Sequence, residues 1–543
     1  MNEPSSAVPS GAYSPPPDPG SGSVRPMSRR ALIGGAAGLG GAALLPANAW
    51  ASPSSPLLWT PPGGTGAPEV HGLHLQFGAA ASREAVVSWI TPEAVARPRV
   101  FLGSPVDGYG HSFDADTTTY KDAQSGTEVF IHHAPVTGLH PDTEYAYAAV
   151  HQGTTALPGL FRTAPRGRAP FTFTSFGDQG TPTLGKQVTP AGATSPIWVN
   201  DNLGSPAGAD TVSGIERIAP LFHLVNGDLC YANIATDRIR TWSDWFTNNS
   251  RSARFRPWMP AAGNHENELG NGPIGYGAYQ SYFSVPAPPG DAETRGLWYS
   301  FTVGSVRVIS LNNDDVAYQD GGNSYVHGYS GGAQKRWLEQ ELVRTRADHD
   351  IDWIVVVMHQ VVVSTANFFN GADLGIRQEW VPLFDKYGVD LVVCGHEHHY
   401  ERSHAIRGAQ PNDTRTPVPV STELSTIDTT RGTVHMVIGG GGTSAPSNTL
   451  FFEPAACRVI TGVGPVGANG KRPPIYVQEP APWSAVRDKD HAYGFAAFEV
   501  DPGTRPGGST SIKVTYYAVS GPFGALTPVD RFVLVRPRRD HQH

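Results

Sequence analysis

Gly177-Asp178-Gln179-Gly180, Gly227-Asp228-Leu229-Cys230-Tyr231, Gly263-Asn264-His265-Glu266, Val356-Val357-Met358-His359 and Gly395-His396-Glu397-His398 succeed one another through the middle of a 543-residue chain. Each comes after a short apolar run of strand character, such as Leu391-Val392-Val393-Cys394 ahead of the last. A parallel sheet delivers such turns to one rim, at the C-terminal strand ends where open α/β folds build their sites. One Gly-Asp or Gly-His turn alone says little, because a lone histidine is more often a satisfied core or surface residue. All of them in order predict a two-metal centre.

The donor types narrow the chemistry. Hard cations prefer oxygen ligands and imidazole suits zinc, iron and manganese, so two Asp, one Tyr, one Asn and three His point to transition metals. In two-metal hydrolases, ions roughly 3.5–4 Å apart clamp an in-line displacement and lower the pKa of a bound water. Phosphate esters are the natural substrates of such a site.

On these motifs the chain resembles the purple acid phosphatases, a branch of the calcineurin-like metallophosphoesterases. The resemblance extends to Trp298-Tyr299-Ser300, Tyr400-Glu401-Arg402-Ser403 and Gly494-Phe495, and covers most of the chain after Phe171. It implies that Asp178, Tyr231 and His398 hold the first metal, that Asn264, His359 and His396 hold the second, and that Asp228 bridges them. His265 is then the catalytic side chain beside the scissile ester. Many relatives carry Asp-x-His as the first motif, but Gly180 stands there in this chain and Tyr231 replaces the missing histidine. A phenol of ordinary pKa about 10 binds as phenolate only to a strongly acidic ion. The cofactors expected are therefore two metal ions, Fe3+ at the Tyr231 site and Zn2+, Mn2+ or Fe2+ at the second. The implied reaction is attack of a metal-bound hydroxide on a phosphate monoester, with His265 assisting the leaving group.

One stretch departs from the family pattern. About nine residues after the fourth motif, where related enzymes carry imidazoles that contact phosphate, this chain reads Asn367-Phe368-Phe369-Asn370. Either the phenylalanines pack in an ordinary loop, or an apolar wall favours a diester or a bulky aromatic leaving group. A replacement donor is sought in residues 312–329, which carry Asp314, Asp315, Tyr325 and His327, with an incidental histidine in a surface loop as the plainer reading of His327.

The ends of the chain bear on location. Ser28-Arg29-Arg30 precedes an apolar, glycine-rich run over residues 31–45 and small-residue cleavage frames at Ala47-Asn48-Ala49 and Ala51. This resembles a twin-arginine export signal, so residues 1–51 are expected to be removed and the protein to act outside the cytoplasm. The run is too short to span a bilayer, and no transmembrane anchor is expected in the mature chain. Residues 1–49 hold three basic and two acidic residues, and residues 50–543 have 37 Lys+Arg against 46 Asp+Glu, a net charge of −9. Nucleic-acid binding through a basic surface is excluded on that balance. The three cysteines, Cys230, Cys394 and Cys457, form no disulfide scaffold, and the first two read as small buried side chains beside metal motifs.

The expected fold is multidomain. Residues 52–66 read as a Pro/Gly/Ser linker, and residues 67–165 as an all-β Ig- or fibronectin III-like sandwich of alternating strands. Leu139 to Tyr147 resembles a tyrosine corner, and His132 and His133 read as surface residues of this domain. Residues 165–170 read as a hinge. Residues 169–530 form the α/β metallophosphoesterase domain, two packed sheets flanked by helices by resemblance, with a helix at residues 333–350. The glycine run 439–442 after an apolar strand reads as a tight turn and not a P-loop. Small phosphate esters are the expected partners. The alternatives are a phosphodiesterase for nucleotides or phospholipid head groups, and a non-catalytic surface- or polymer-binding protein, against which the full set of seven ligands argues.

Overall fold

The computed structural model describes residues 67–540, so the twin-arginine leader and the expected linker lie outside the described residues. Among the described residues, no helix is long and apolar enough to cross a membrane.

The first lobe is all β. Strands His71–Phe77, Ala85–Thr91, Glu128–Val136 and Asp116–Lys121 form one antiparallel sheet, and Gly108–Asp114, Arg99–Ser104, Glu144–Val150 and Leu157–Arg162 the other. Alternation explains the packing: Ala85, Val87 and Trp89 join Leu73, Leu75, Val100, Leu102, Tyr147 and Phe161 between the sheets. The tyrosine corner takes its usual form, with the His140 N–H donating to the Tyr145 hydroxyl at 2.9 Å. His132 departs from expectation. It is fully buried, its two ring nitrogens lying 2.9 Å from the Thr91 and Thr117 hydroxyls, because it shares the inner face of its sheet with Trp89, whose ring lies 5.1 Å away. His133 is half-buried, with its Nε2 3.0 Å from the Ser281 carbonyl.

The outer face of that sheet is covered by the second lobe. Ile90, Tyr120, Val129 and Ile131 belong to one continuous core with Trp242, Phe246, Tyr282 and Phe283 of the α/β part. The expected hinge is likewise pinned: Arg168 makes a bidentate pair with Asp352 at 2.9 Å and donates to the His349 carbonyl at 2.6 Å.

The α/β lobe has two seven-stranded sheets. One runs Trp258–Pro260, Phe222–Val225, Phe171–Phe176, Gly494–Asp501, Ser509–Ser520, Ala525–Pro537, Thr426–Asp428. The other runs Tyr299–Val303, Val306–Ser310, Trp353–Val357, Leu391–Cys394, Val434–Ile438, Tyr400–Ser403, Ser484–Asp488. The strands that precede the five motifs pair in parallel within each sheet. They are divided three and two between the sheets, not gathered in one, as a single parallel sheet would require. The helix over residues 333–350 ends earlier, as Ala333–Ala347, where Asp348 turns extended. Its Leu338 and Leu342 are buried, whereas Val343 is exposed. The glycine run is a turn without a following helix, and Gly441 donates to the carbonyl of Gly177 at 2.9 Å.

Candidate metal centre

Each donor leaves a strand end through a tight turn. Asp178, Asp228, Tyr231 and His396 all take positive φ, at 58°, 52°, 60° and 71°. Such angles are uncommon for side-chain-bearing residues, and here they turn the donors back over the strand ends. The adjoining glycines are required by close approach: a Cβ on Gly263 would lie 2.3 Å from Asp228 Oδ1, and one on Gly395 2.3 Å from Asp178 Oδ2.

Two donor sets result. In the first, His398 Nε2 lies 3.2 Å from the Tyr231 hydroxyl and 3.3 Å from Asp178 Oδ1, which is itself 3.4 Å from the Tyr231 hydroxyl. In the second, His359 Nε2 lies 3.1 Å from Asp228 Oδ2 and 3.1 Å from His396 Nδ1. Donor atoms of Asp228, His359 and His396 all fall within 4.8 Å of one another. Asn264 Oδ1 is buried with no hydrogen-bond partner, one residue before the His265 N–H that donates to Asp228 Oδ1 at 2.9 Å. A buried carbonyl without a partner is costly unless something electropositive meets it.

The far nitrogen of every donor imidazole is spoken for. Nδ1 of His359 and of His398 lies 2.8 and 2.7 Å from the carbonyls of Asn226 and Ala445, and His396 Nε2 lies 2.6 Å from Gln319 Oε1. Those acceptors fix the tautomers, so the lone pairs of His359, His396 and His398 face the clusters. Burial and the adjacent Asp178 and Asp228 push the Tyr231 phenol well above its ordinary range. Burial would also raise Asp228, but the imidazoles of His359, His265 and His396 hold it below the usual carboxylate range. Burial would lower His359, yet the Asp228 carboxylate raises it to about 10. Without cations, protons therefore hold these acid–base pairs together, and bound metal must displace them. Seven convergent donors, locked tautomers and an orphaned carbonyl fit two cations.

His265 stands beside the donors. Its Nδ1 lies 2.8 Å from Asn233 Oδ1, and its ring packs edge-on against Tyr231 at 4.7 Å. Burial lowers its pKa, partly opposed by Asp228.

Several supporting residues carried no signal of their own. Glu266 accepts from the backbone N–H groups of Asp228, Leu229 and Gly263 at 2.9, 2.8 and 2.8 Å, and so ties two motif turns together. Asn313 Oδ1 accepts from the His359 and Gln360 N–H groups at 2.7 and 2.9 Å. In residues 312–329 it is Gln319 that reaches the ring of a donor histidine. Asp314 binds the Tyr276 hydroxyl and Gln360, Asp315 binds Ser330 and Gln334, and His327 bonds the Ala317 carbonyl. In the following loop Phe369 packs edge-on against His398 at 4.8 Å, and Asn370 donates to the His396 carbonyl at 2.7 Å. Phe368 is 82% exposed. Cys230, Cys394 and Cys457 are buried free thiols. A cavity of about 580 Å³ between the lobes, lined by Asp142, Phe161, Phe171 and Phe255, contains none of the donors.

Residues 70–165 match the purple acid phosphatase N-terminal domain, and residues 209–400 match the calcineurin-like phosphoesterases. An uncharacterized protein of Mycobacterium tuberculosis is 63% identical over 509 residues, covering 94% of each chain. A purple acid phosphatase of Glycine max is 28% identical over 403 residues, covering 72% of this chain and 76% of the relative. The structure of a purple acid phosphatase from yellow lupin (Lupinus luteus) seeds shares the fold at a TM-score of 0.62 and 21% identity, covering 87% of this chain and 76% of that one. The structure of PhoD does so at 0.56 and 13%, covering 88% and 93%. With both family regions present in this order, the chain belongs to the purple acid phosphatase-like branch of the calcineurin-like phosphoesterases.

Proposed function

We propose that this phosphate-ester hydrolase works at a binuclear centre. Asp178, Tyr231 and His398 would hold the first cation, Asn264, His359 and His396 the second, with Asp228 between them. The partnerless Asn264 Oδ1, beside donor imidazoles locked with their lone pairs inward, carries the reading. Ferric iron suits the first site, because a buried phenol between carboxylates is ionised only by a strongly acidic ion. Zn2+, Mn2+ or Fe2+ suits the second. When bound, the cations would neutralise phosphoryl charge and make water a competent nucleophile. His265, fixed through Nδ1 by Asn233, can present Nε2 to the leaving oxygen and deliver a proton there.

Phosphate monoesters are the substrates that the family resemblance favours. Phosphodiesters are the second reading, because the Phe369 ring puts hydrocarbon against His398 where a donor to a doubly charged phosphate would be useful. The leader around Arg29 and Arg30 supports export by the twin-arginine route, which suits an enzyme loaded with metal before transport. The test is metal analysis of the purified protein with rates on a chromogenic monoester and diester, for wild type and Asp228→Asn. Two metals and turnover in the wild type, with loss of at least one metal and nearly all turnover in the variant, are expected. Near-normal rates with two metals in Asp228→Asn would overturn the bridge.

A further inference from the structure

Beyond the donor sets, the rim of the centre carries an unpaired cation. Arg458 lies on the strand Ala456–Val463, which pairs antiparallel with Pro474–Pro480. Its guanidinium stacks on the Tyr476 ring at 3.8 Å and stands 5.9 Å from the Phe368 ring. That guanidinium makes no hydrogen bond or ion pair with any described residue. Nearby basic residues behave differently: Lys471 and Arg472 pair with Asp320 at 3.9 and 3.4 Å.

The surroundings join Arg458 to the centre. The Tyr476 hydroxyl donates to the Asn370 carbonyl at 2.9 Å, and Asn370 in turn donates to the His396 carbonyl at 2.7 Å. Gly371 packs so closely that a Cβ there would lie 2.7 Å from the Arg458 carbonyl. Phe368 takes φ 58°, a strained angle for an aromatic residue, and its ring is 82% exposed. Backbone strain that holds a ring in water needs a return, and the ring stands beside the guanidinium stacked on Tyr476. A planar group on Phe368 and an anion on Arg458 would supply it.

We propose that Arg458 and Phe368 form a leaving-group subsite for an aromatic group that bears an anionic substituent, with Arg458 as its specificity-determining residue. The proposal rests on the phosphoesterase reading for the reacting phosphate, but the subsite itself binds without turnover. Tyr476 pre-orients the guanidinium, so less side-chain freedom is lost when an anion arrives.

The test compares phenylphosphonate with 4-carboxyphenylphosphonate by calorimetry on the metal-loaded protein, alongside hydrolysis of phenyl phosphate and 4-carboxyphenyl phosphate. The wild type should prefer the carboxylated phosphonate by about tenfold or more, and Arg458→Gln should bring that ratio close to one. Arg458→Lys, which keeps the charge but loses the fork, should fall between them and serves if the glutamine variant does not fold. No preference in the wild type, or a ratio that persists in Arg458→Gln, overturns the subsite. A wild type that shows the binding ratio and hydrolyses neither ester upholds the subsite and overturns the monoester reading instead.

Discussion

Tyr231 is the residue on which the identity of the first metal turns. Its hydroxyl is the atom that meets both Asp178 and His398, while its ring packs against His265 at 4.7 Å. Tyr231→Phe therefore removes one donor and keeps the packing, so the fold should survive. If the first ion is ferric, the wild type is pink to violet and the variant loses the visible band; a colourless, iron-loaded, active wild type contradicts the assignment. His265 tests the proton. Burial holds its pKa below the ordinary value, so the protonated form grows as pH falls through that lowered value. Rates on esters with poor, high-pKa leaving groups should then rise toward acid more than rates on activated esters. His265→Ala should keep both metals, lose about 10²–10⁴-fold on the poor leaving groups and flatten that difference in pH profile. Loss of a metal from the variant would make His265 a ligand.

At the scale of elements, the centre depends on turns from different strands being clamped together, and Glu266 is the clamp. Its carboxylate takes three backbone N–H groups from two turns, one of them that of Asp228. Glu266→Gln keeps the size but offers one acceptor oxygen in place of two, leaving buried donors unmet at a cost of about 1–3 kcal/mol each. Metal affinity should fall by about 10–100-fold, as for other groups that orient ligands, measured by competition with a chelator. An unchanged affinity would mean that the turns hold themselves. The loop at residues 367–370 has its own test. Phe369, not the exposed Phe368, touches His398, so Phe369→His should raise the monoester-to-diester ratio of kcat/KM in a variant that retains both metals. A ratio that stays level or falls removes this loop from the substrate's path. The candidate donors are legible in the sequence because each sits within a few residues of its own strand end, a local relation. The supports could not: Gln319 meets His396 across 77 positions and Asn226 meets His359 across 133, and nothing local marks such pairs. The division of the five strands between two sheets was hidden for the same reason, since a buried strand reads alike in either.

On the scale of the whole molecule, one face of the sandwich shares the core of the α/β lobe. His132 reads as a surface group but lies inside the sandwich beside Trp89, because alternation marks which residues face away from one another but not what covers each face. Here the second face of the first sheet is covered by the α/β lobe. Tyr120 packs edge-on against Tyr282 at 5.6 Å, and Glu268 accepts from Trp242 Nε1 at 2.8 Å, Asn271 at 2.6 Å and the Tyr120 hydroxyl at 3.3 Å. Arg238 meets Asp122 of the sandwich at 3.5 Å within the same buried network. Separating the lobes would expose apolar side chains and leave these polar groups without partners, which makes independent unfolding of either lobe costly. Ile131 is the cleanest probe, being wholly buried in the shared core and distant in sequence from every metal motif. Ile131→Ala should cost about 2–5 kcal/mol, the range for a cavity that cannot collapse. Scanning calorimetry of the metal-loaded variant should show one transition, moved to lower temperature, with activity lost over the same interval. Two separated transitions, the lower one leaving activity intact, would show that the sandwich unfolds alone and that the shared core does not couple the lobes.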